Sequence, residues 1–191
     1  IGSIYYSYKH YLKSMSIFSA MAKEFPNHEL SRRAAFMILY SYEDLGQWPE
    51  LEANARLFIK DRTLTKNKVF RKEMFEMIIR SSYLRIFNDK KFKGLDNVQL
   101  AVRFAAYEKE FGKEGGWLKK GFNVSPKAVN ALSLAGFHSI KGKRILDAIK
   151  YRERLVKVYP KSKFYKQMLY DLGGHYEQIA RYKVAVGFYE R

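Results

Sequence analysis

"LYDLGGHYEQIARYKVAVGFYE", residues 169–190, decides the fold. Apolar residues recur at helical spacing on both sides of a short polar break at Gln178–Arg181, so the stretch reads as helix, tight turn, helix. It offers no convergent catalytic groups. It does carry adjacent glycines (Gly173, Gly174), Ala180 and Ala185, and four tyrosines. Small and large residues at set places in a helical hairpin point to packing between helices, and packing slots invite a search for repetition.

Shifting the chain by 37 residues aligns Tyr5 with Tyr42, Tyr11 with Trp48, Gly136 with Gly173, Ile145 with Tyr182 and Ala148 with Ala185. The stretches "AMAKEFPNHELSRRAAF" and "RLVKVYPKSKFYKQMLY" repeat an apolar–aromatic–Pro close, a polar link and a new apolar helix. Leu169, Leu172-Gly173, Tyr176, Tyr182, Ala185 and Tyr189 resemble the tetratricopeptide (TPR) pattern, W-x2-L-G-x2-Y followed by A-x3-F. Leu132, Ala135-Gly136, Ile145, Ala148, Leu155 and Pro160 fill the same slots one unit earlier, and Gly2, Tyr5, Tyr11, Ser14, Phe18, Met21 and Pro26 fill them in the first unit. The second unit keeps Tyr42, Gly46 and Trp48, but Leu51 stands at the alanine slot and Thr63 at the proline slot.

The resemblance implies an all-α protein, an α-solenoid of stacked antiparallel helix pairs in a right-handed superhelix. One domain is expected over 1–191, with pairs at 1–28, 32–65, 66–112, 125–162 and 166–191. The third pair has helical periodicity but a long link, "NDKKFKGLDN", and Gly112 at the proline slot. Ser125-Pro126 predicts an N-cap and the start of a helix. Both ends fall inside a unit, so a piece of a longer array is expected. Units of 37 residues closed by "YP-x-S" are also similar to the TPR units of bacterial envelope proteins of the Tol-Pal-associated and outer-membrane lipoprotein type, which implies a periplasmic setting.

Several classes of chemistry lack their residues. The chain has no cysteine, hence no disulfide, thiolate metal site or cysteine nucleophile. "HELSR" at 28–32 begins like the HExxH zinc motif, but Arg32 stands where the second histidine belongs. "GWLKKGFN" at 116–123 and "GFHSIKGKR" at 136–144 approach a phosphate-binding loop without its Lys-Ser/Thr close or a preceding strand, and read better as packing and turn glycines. Glu43-Asp44 and Glu108/Glu110 read as solvated helix faces. The expectation is no enzyme, no metal and no cofactor. No apolar run is long enough to span a bilayer.

Two surfaces remain as candidates. In TPR arrays the front helix of each pair lines a concave groove, and the resemblance places Tyr6, Arg33, Phe36, Tyr40, Glu43, Asp44, Asn130, Ser133, Phe137, Lys141, Gln167, Tyr170, Glu177 and Gln178 there. Phe36, Tyr40, Phe137 and Tyr170 would anchor a partner protein or peptide, unless they fill the space between neighbouring front helices. The Lys and Asn of chaperone-binding carboxylate clamps are absent from these slots. The second surface is basic. Residues 1–60 hold seven Lys/Arg against six Asp/Glu, whereas 61–191 hold twenty-nine against thirteen. Lys143, Arg144, Lys150, Arg154, Lys157, Lys161 and Lys163 form its densest run, a candidate patch for an acidic protein or an anionic polymer. Nucleic acid is the alternative partner, its phosphates met by this run and the Lys/Arg of 80–93 and its bases by stacked tyrosines; against it, the run is not interleaved with aromatics on one regular face, and only Tyr151 and Tyr159 lie within it. Anionic lipid is a third, and a merely solvated helix face competes with all three.

Overall fold

In the computed structural model, which describes residues 1–26, 28–88 and 94–191, every regular element is helical. In chain order the helices are α1 (Gly2–Ser7), α2 (Tyr11–Glu24), α3 (Glu29–Asp44), α4 (Trp48–Phe58), α5 (Lys68–Asn88), α6 (Asn97–Phe111), α7 (Gly116–Lys119), α8 (Ala128–Lys141), α9 (Ile145–Val158), α10 (Tyr165–Gln178) and α11 (Tyr182–Tyr189), with a 3-10 turn at Leu64–Lys66. Among the described residues no helix is long and apolar enough to cross a membrane.

Packing gathers into two compact units, Ile1–Lys93 and Gly94–Arg191. In the first, α1 packs on α2, α2 on α3, α3 on α4 and α4 on α5. In the second, α6 packs on α8, α8 on α9, α9 on α10 and α10 on α11. The pair expected at 66–112 is thereby divided, since α5 belongs to the first unit and α6 to the second. Asp96 begins α6 afresh: its carboxylate accepts from the Gln99 N–H at 2.8 Å while the Gln99 side chain accepts from the Asp96 N–H at 3.1 Å. Such a capping box satisfies two orphan donors and needs nothing from the preceding helix.

Within each unit a 37-residue spacing appears as a repeated turn, at 9 and 46 in the first and at 143 and 180 in the second. Lys9, Gly46, Lys143 and Ala180 all take the left-handed conformation, with φ of 61°, 65°, 57° and 58°. In each turn the next N–H reaches back to the carbonyl five residues earlier: His10 to Tyr5, Gln47 to Tyr42, Arg144 to Ser139 and Arg181 to Tyr176, at 2.8–2.9 Å. This Schellman closure satisfies carbonyls that the helix end leaves orphaned. Glycine occupies the strained position only once, so turn chemistry alone marks one of the four.

A second repeated device lies between the paired helices. A Cβ at Gly2 would touch the Phe18 ring at 3.0 Å, one at Gly136 would press on Arg152 Cγ at 3.3 Å, and one at Gly173 would run into the Tyr189 ring. The partner stands sixteen residues on in every case. At the corresponding positions 39 and 55 the sizes are exchanged, with Leu39 and Ala55 both fully buried. Ala148 and Ala185 are buried in their slots as well. Around these contacts Met15, Phe18, Ala34 and Ile38 form the core near α2 and α3, and Ile149, Leu172, Tyr176 and Ala185 form the one between α9, α10 and α11.

The expected helix start at Ser125 shifts to Ala128. Ser125 is buried, and its hydroxyl shares a hydrogen bond with the Tyr107 hydroxyl at 2.7 Å and accepts from the Lys127 N–H at 3.2 Å. The serine therefore pins a turn to α6 instead of capping α8. The near-phosphate stretch at 116–123 is an anchored turn, with Trp117 stacked on Phe111 and edge-on to Phe122.

Candidate functional site

In the first unit the expected groove residues fall along α1 and α3. Phe36 is half-buried, stacked on Tyr40 at 6.1 Å and edge-on to Phe70 of α5 at 5.2 Å. It thus fills the space between neighbouring front helices, while Tyr40 is exposed. Glu43 pairs with Arg80 of α5 at 2.7 Å. The Tyr6 hydroxyl of α1 donates to Asp44 Oδ2 at 2.6 Å. Burial, then the Asp44 carboxylate, holds the Tyr6 phenol well above its usual range. Arg33 is exposed. Of this set Tyr40 and Arg33 offer open surface, and Tyr6, Phe36 and Glu43 tie the row of helices together.

In the second unit Phe137 and Tyr170 are both exposed, the latter by 69%. Lys141 Nζ lies 5.6 Å from the Phe137 ring, and His138 meets that ring edge-on. Tyr170 leans on Tyr189 at 5.8 Å; burial, then the Glu177 carboxylate, raises the Tyr189 phenol. Glu177 is exposed and Asn130 half-buried. These residues share α8 and α10, the front helices of their pairs.

The basic run changes most on folding. Arg154 is a bridge between elements. Its Nε donates to Glu108 Oε2 at 2.7 Å and its Nη1 to Glu114 Oε2 at 2.7 Å, and the two carboxylates raise its pKa. The Glu108 side chain is 1% exposed and also accepts from the Tyr159 hydroxyl at 2.8 Å. Glu108 is consequently no solvated carboxylate, and Arg154 no freely offered cation: a buried charge must be paired, and Arg154 reaches it from α9 to do so. Glu110 accepts from the Trp117 indole N–H at 2.9 Å. Arg152 is buried and bridges to Asp171 at 3.1 Å, and Arg144 pairs with Asp147 at 3.0 Å. Lys143, Lys150, Lys157, Lys161 and Lys163 are exposed, with Lys163 Nζ over the Phe164 ring at 5.2 Å. Lys90, Lys91 and Lys93 of the alternative basic surface lie outside the described residues.

Tyr159 is buried, and burial followed by Glu108 raises its phenol while the Lys113 N–H works against the rise. It is closed to stacking on a base. Tyr151 is half-buried.

The second unit also holds an open groove of 1170 Å³, lined by residues outside the expected front-helix set. Val102, Ala105 and Ala106 of α6, Tyr151 and Val156 of α9 and Phe188 of α11 line it. The buried Leu132 of α8 is also among its lining residues. The signal was present in the i, i+3, i+4 spacing of Val102, Ala105 and Ala106, a short-sided apolar stripe on α6.

The chain is thus an all-α protein of successive packed helix pairs. No family model matches it, and no curated protein matches its sequence.

Proposed function

We propose that this protein is a non-enzymatic scaffold of the TPR type, an α-solenoid that binds a partner protein or peptide along the front helices of its pairs. The observation that carries this reading is the placement of exposed Tyr40, Phe137 and Tyr170 on α3, α8 and α10, each next to a packed aromatic or histidine side chain. Supported aromatics present large area at little entropy cost, the character of interface hot spots. Units of 37 residues support the envelope-type branch of this family as its setting. Nucleic acid is the weaker reading, because Arg152, Arg154 and Tyr159 are engaged inside the fold.

The test places a photocrosslinking amino acid at Tyr40, Phe137 or Tyr170, and at exposed Lys161 as a control, then identifies the adducts formed in extract of the source cells. Protein adducts at the aromatic positions and absent at Lys161 support the scaffold. Nucleic acid adducts concentrated at Lys161 refute it.

A further inference from the structure

We infer that the groove between α6 and α9 is a second docking site, whose occupant is an acidic amphipathic helix of a partner protein. The inference rests on the scaffold reading above, but places contact on the back helices, apart from Phe137 and Tyr170. At 1170 Å³ the groove exceeds the usual range of small-molecule pockets, about 300–1,000 Å³. Val102, Ala105 and Ala106 give it a low apolar wall, with Val102 itself 55% exposed. Small side chains let a helix approach closely, and a helix laid in such a groove buries its own apolar stripe.

Charge selects the sign of the occupant. Five cations line the groove (Lys109, Lys150, Arg154, Lys157 and Arg191) against three carboxylates; Glu108 and Glu114 are paired by Arg154, while Glu153 keeps its charge and accepts from the Tyr176 hydroxyl at 2.7 Å. Lys109, Lys150 and Lys157 line the same groove, are exposed and have no ion pair among the described residues. Lys150 and Lys157 are seven residues apart on α9, hence on one face and about 10 Å apart along the axis. Lys109 stands on the α6 side. A helix carrying glutamates seven residues apart beside a leucine stripe would meet the lysines with its charges and the α6 wall with its leucines. A basic helix would bring like charges together.

The probe is a fluorescein-labelled peptide of about 18 residues, long enough for five helical turns, with leucines at i, i+3, i+4 and i+7 and glutamates flanking them. A twin carries lysine for every glutamate. Anisotropy titrations use the whole 191-residue chain. The acidic peptide is expected to bind and the twin not. Lys150→Glu with Lys157→Glu weakens binding about tenfold, as does raising salt from about 50 to 300 mM in part. Val102→Glu, an exposed position whose helicity is checked by circular dichroism, weakens it comparably, while Phe137→Ala with Tyr170→Ala leaves it unchanged. Absence of binding, equal binding of the twin, or displacement of the peptide by oligothymidylate at lower concentration overturns the inference. Loss of binding only in the Phe137→Ala, Tyr170→Ala variant also overturns it, while leaving the scaffold reading standing.

Discussion

Replacing Arg154 separates a structural cation from a surface one. Glu108 is 1% exposed and Arg154 31% exposed, so Arg154→Ala strands a buried carboxylate with the Tyr159 hydroxyl as its remaining side-chain donor. Removing one partner of a buried pair typically costs about 3–5 kcal/mol. Water reaches the Arg154 side of this pair and can partly hydrate Glu108 once the guanidinium is gone, which brings the expected loss to about 2–3 kcal/mol. For a unit of this size that is a fall of about 10–20 °C in Tm. Urea denaturation followed by circular dichroism gives the free energy, and hydrogen exchange of α6 and α9 amides assigns it to the second unit. Lys150→Ala, one turn earlier on α9 and exposed, is the control and should stay within about 0.5 kcal/mol. The double replacement Glu108→Gln with Arg154→Met removes both charges together and should recover most of the loss. If Arg154→Ala costs no more than Lys150→Ala, Arg154 is a solvated cation and the buried network carries no stability.

Three further outcomes follow from named contacts. Lys143→Gly and Ala180→Gly should each stabilise the protein by up to about 1 kcal/mol, because both residues hold the left-handed conformation that glycine adopts without Cβ strain; Gly46→Ala should destabilise by about as much. Thermal melts of the three variants check the sign at each site. Stability should fall between pH 7.5 and 5.5 in part through His175, whose imidazole is held below its usual pKa of about 6.5 by burial and then by Arg152, with Asp171 opposing. The unfolded chain takes up that proton first, so the contribution is complete above the unfolded pKa and is lost as pH drops through the folded one. His138, lowered by burial, adds in the same direction, and His175→Gln with His138→Gln should flatten this part of the slope in urea titrations at the two pH values.

The hairpin contacts were legible because they are local. Gly136 and Gly173 each meet a residue sixteen positions on, across one turn, so the same spacing that builds the pair also writes the pattern. A pattern of that kind survives in composition, and Ala148 and Ala185 are buried where the repeat places them. The candidate surfaces were only partly legible. Tyr40, Phe137 and Tyr170 are exposed on α3, α8 and α10, but Phe36 turns into the space between α3 and α5, since nothing in its own helix tells an inward from an outward aromatic.

The sequence by itself determined the helical class, the 37-residue period and the small-residue slots, all consequences of helix geometry acting over a few turns. Tertiary structure alone decided which charges are spent. Arg154 and Glu108 are 46 residues apart, and only the packing of α6 and α9 with α8 makes one a buried acceptor and the other its donor. Tertiary packing likewise holds Lys9, Lys143 and Ala180 in a conformation that their side chains disfavour, because a strain of about 1 kcal/mol is small against the burial gained when two helices close on each other. A chain can announce its period in its residues, but which of its cations remain free for a partner depends on neighbours that the period does not name.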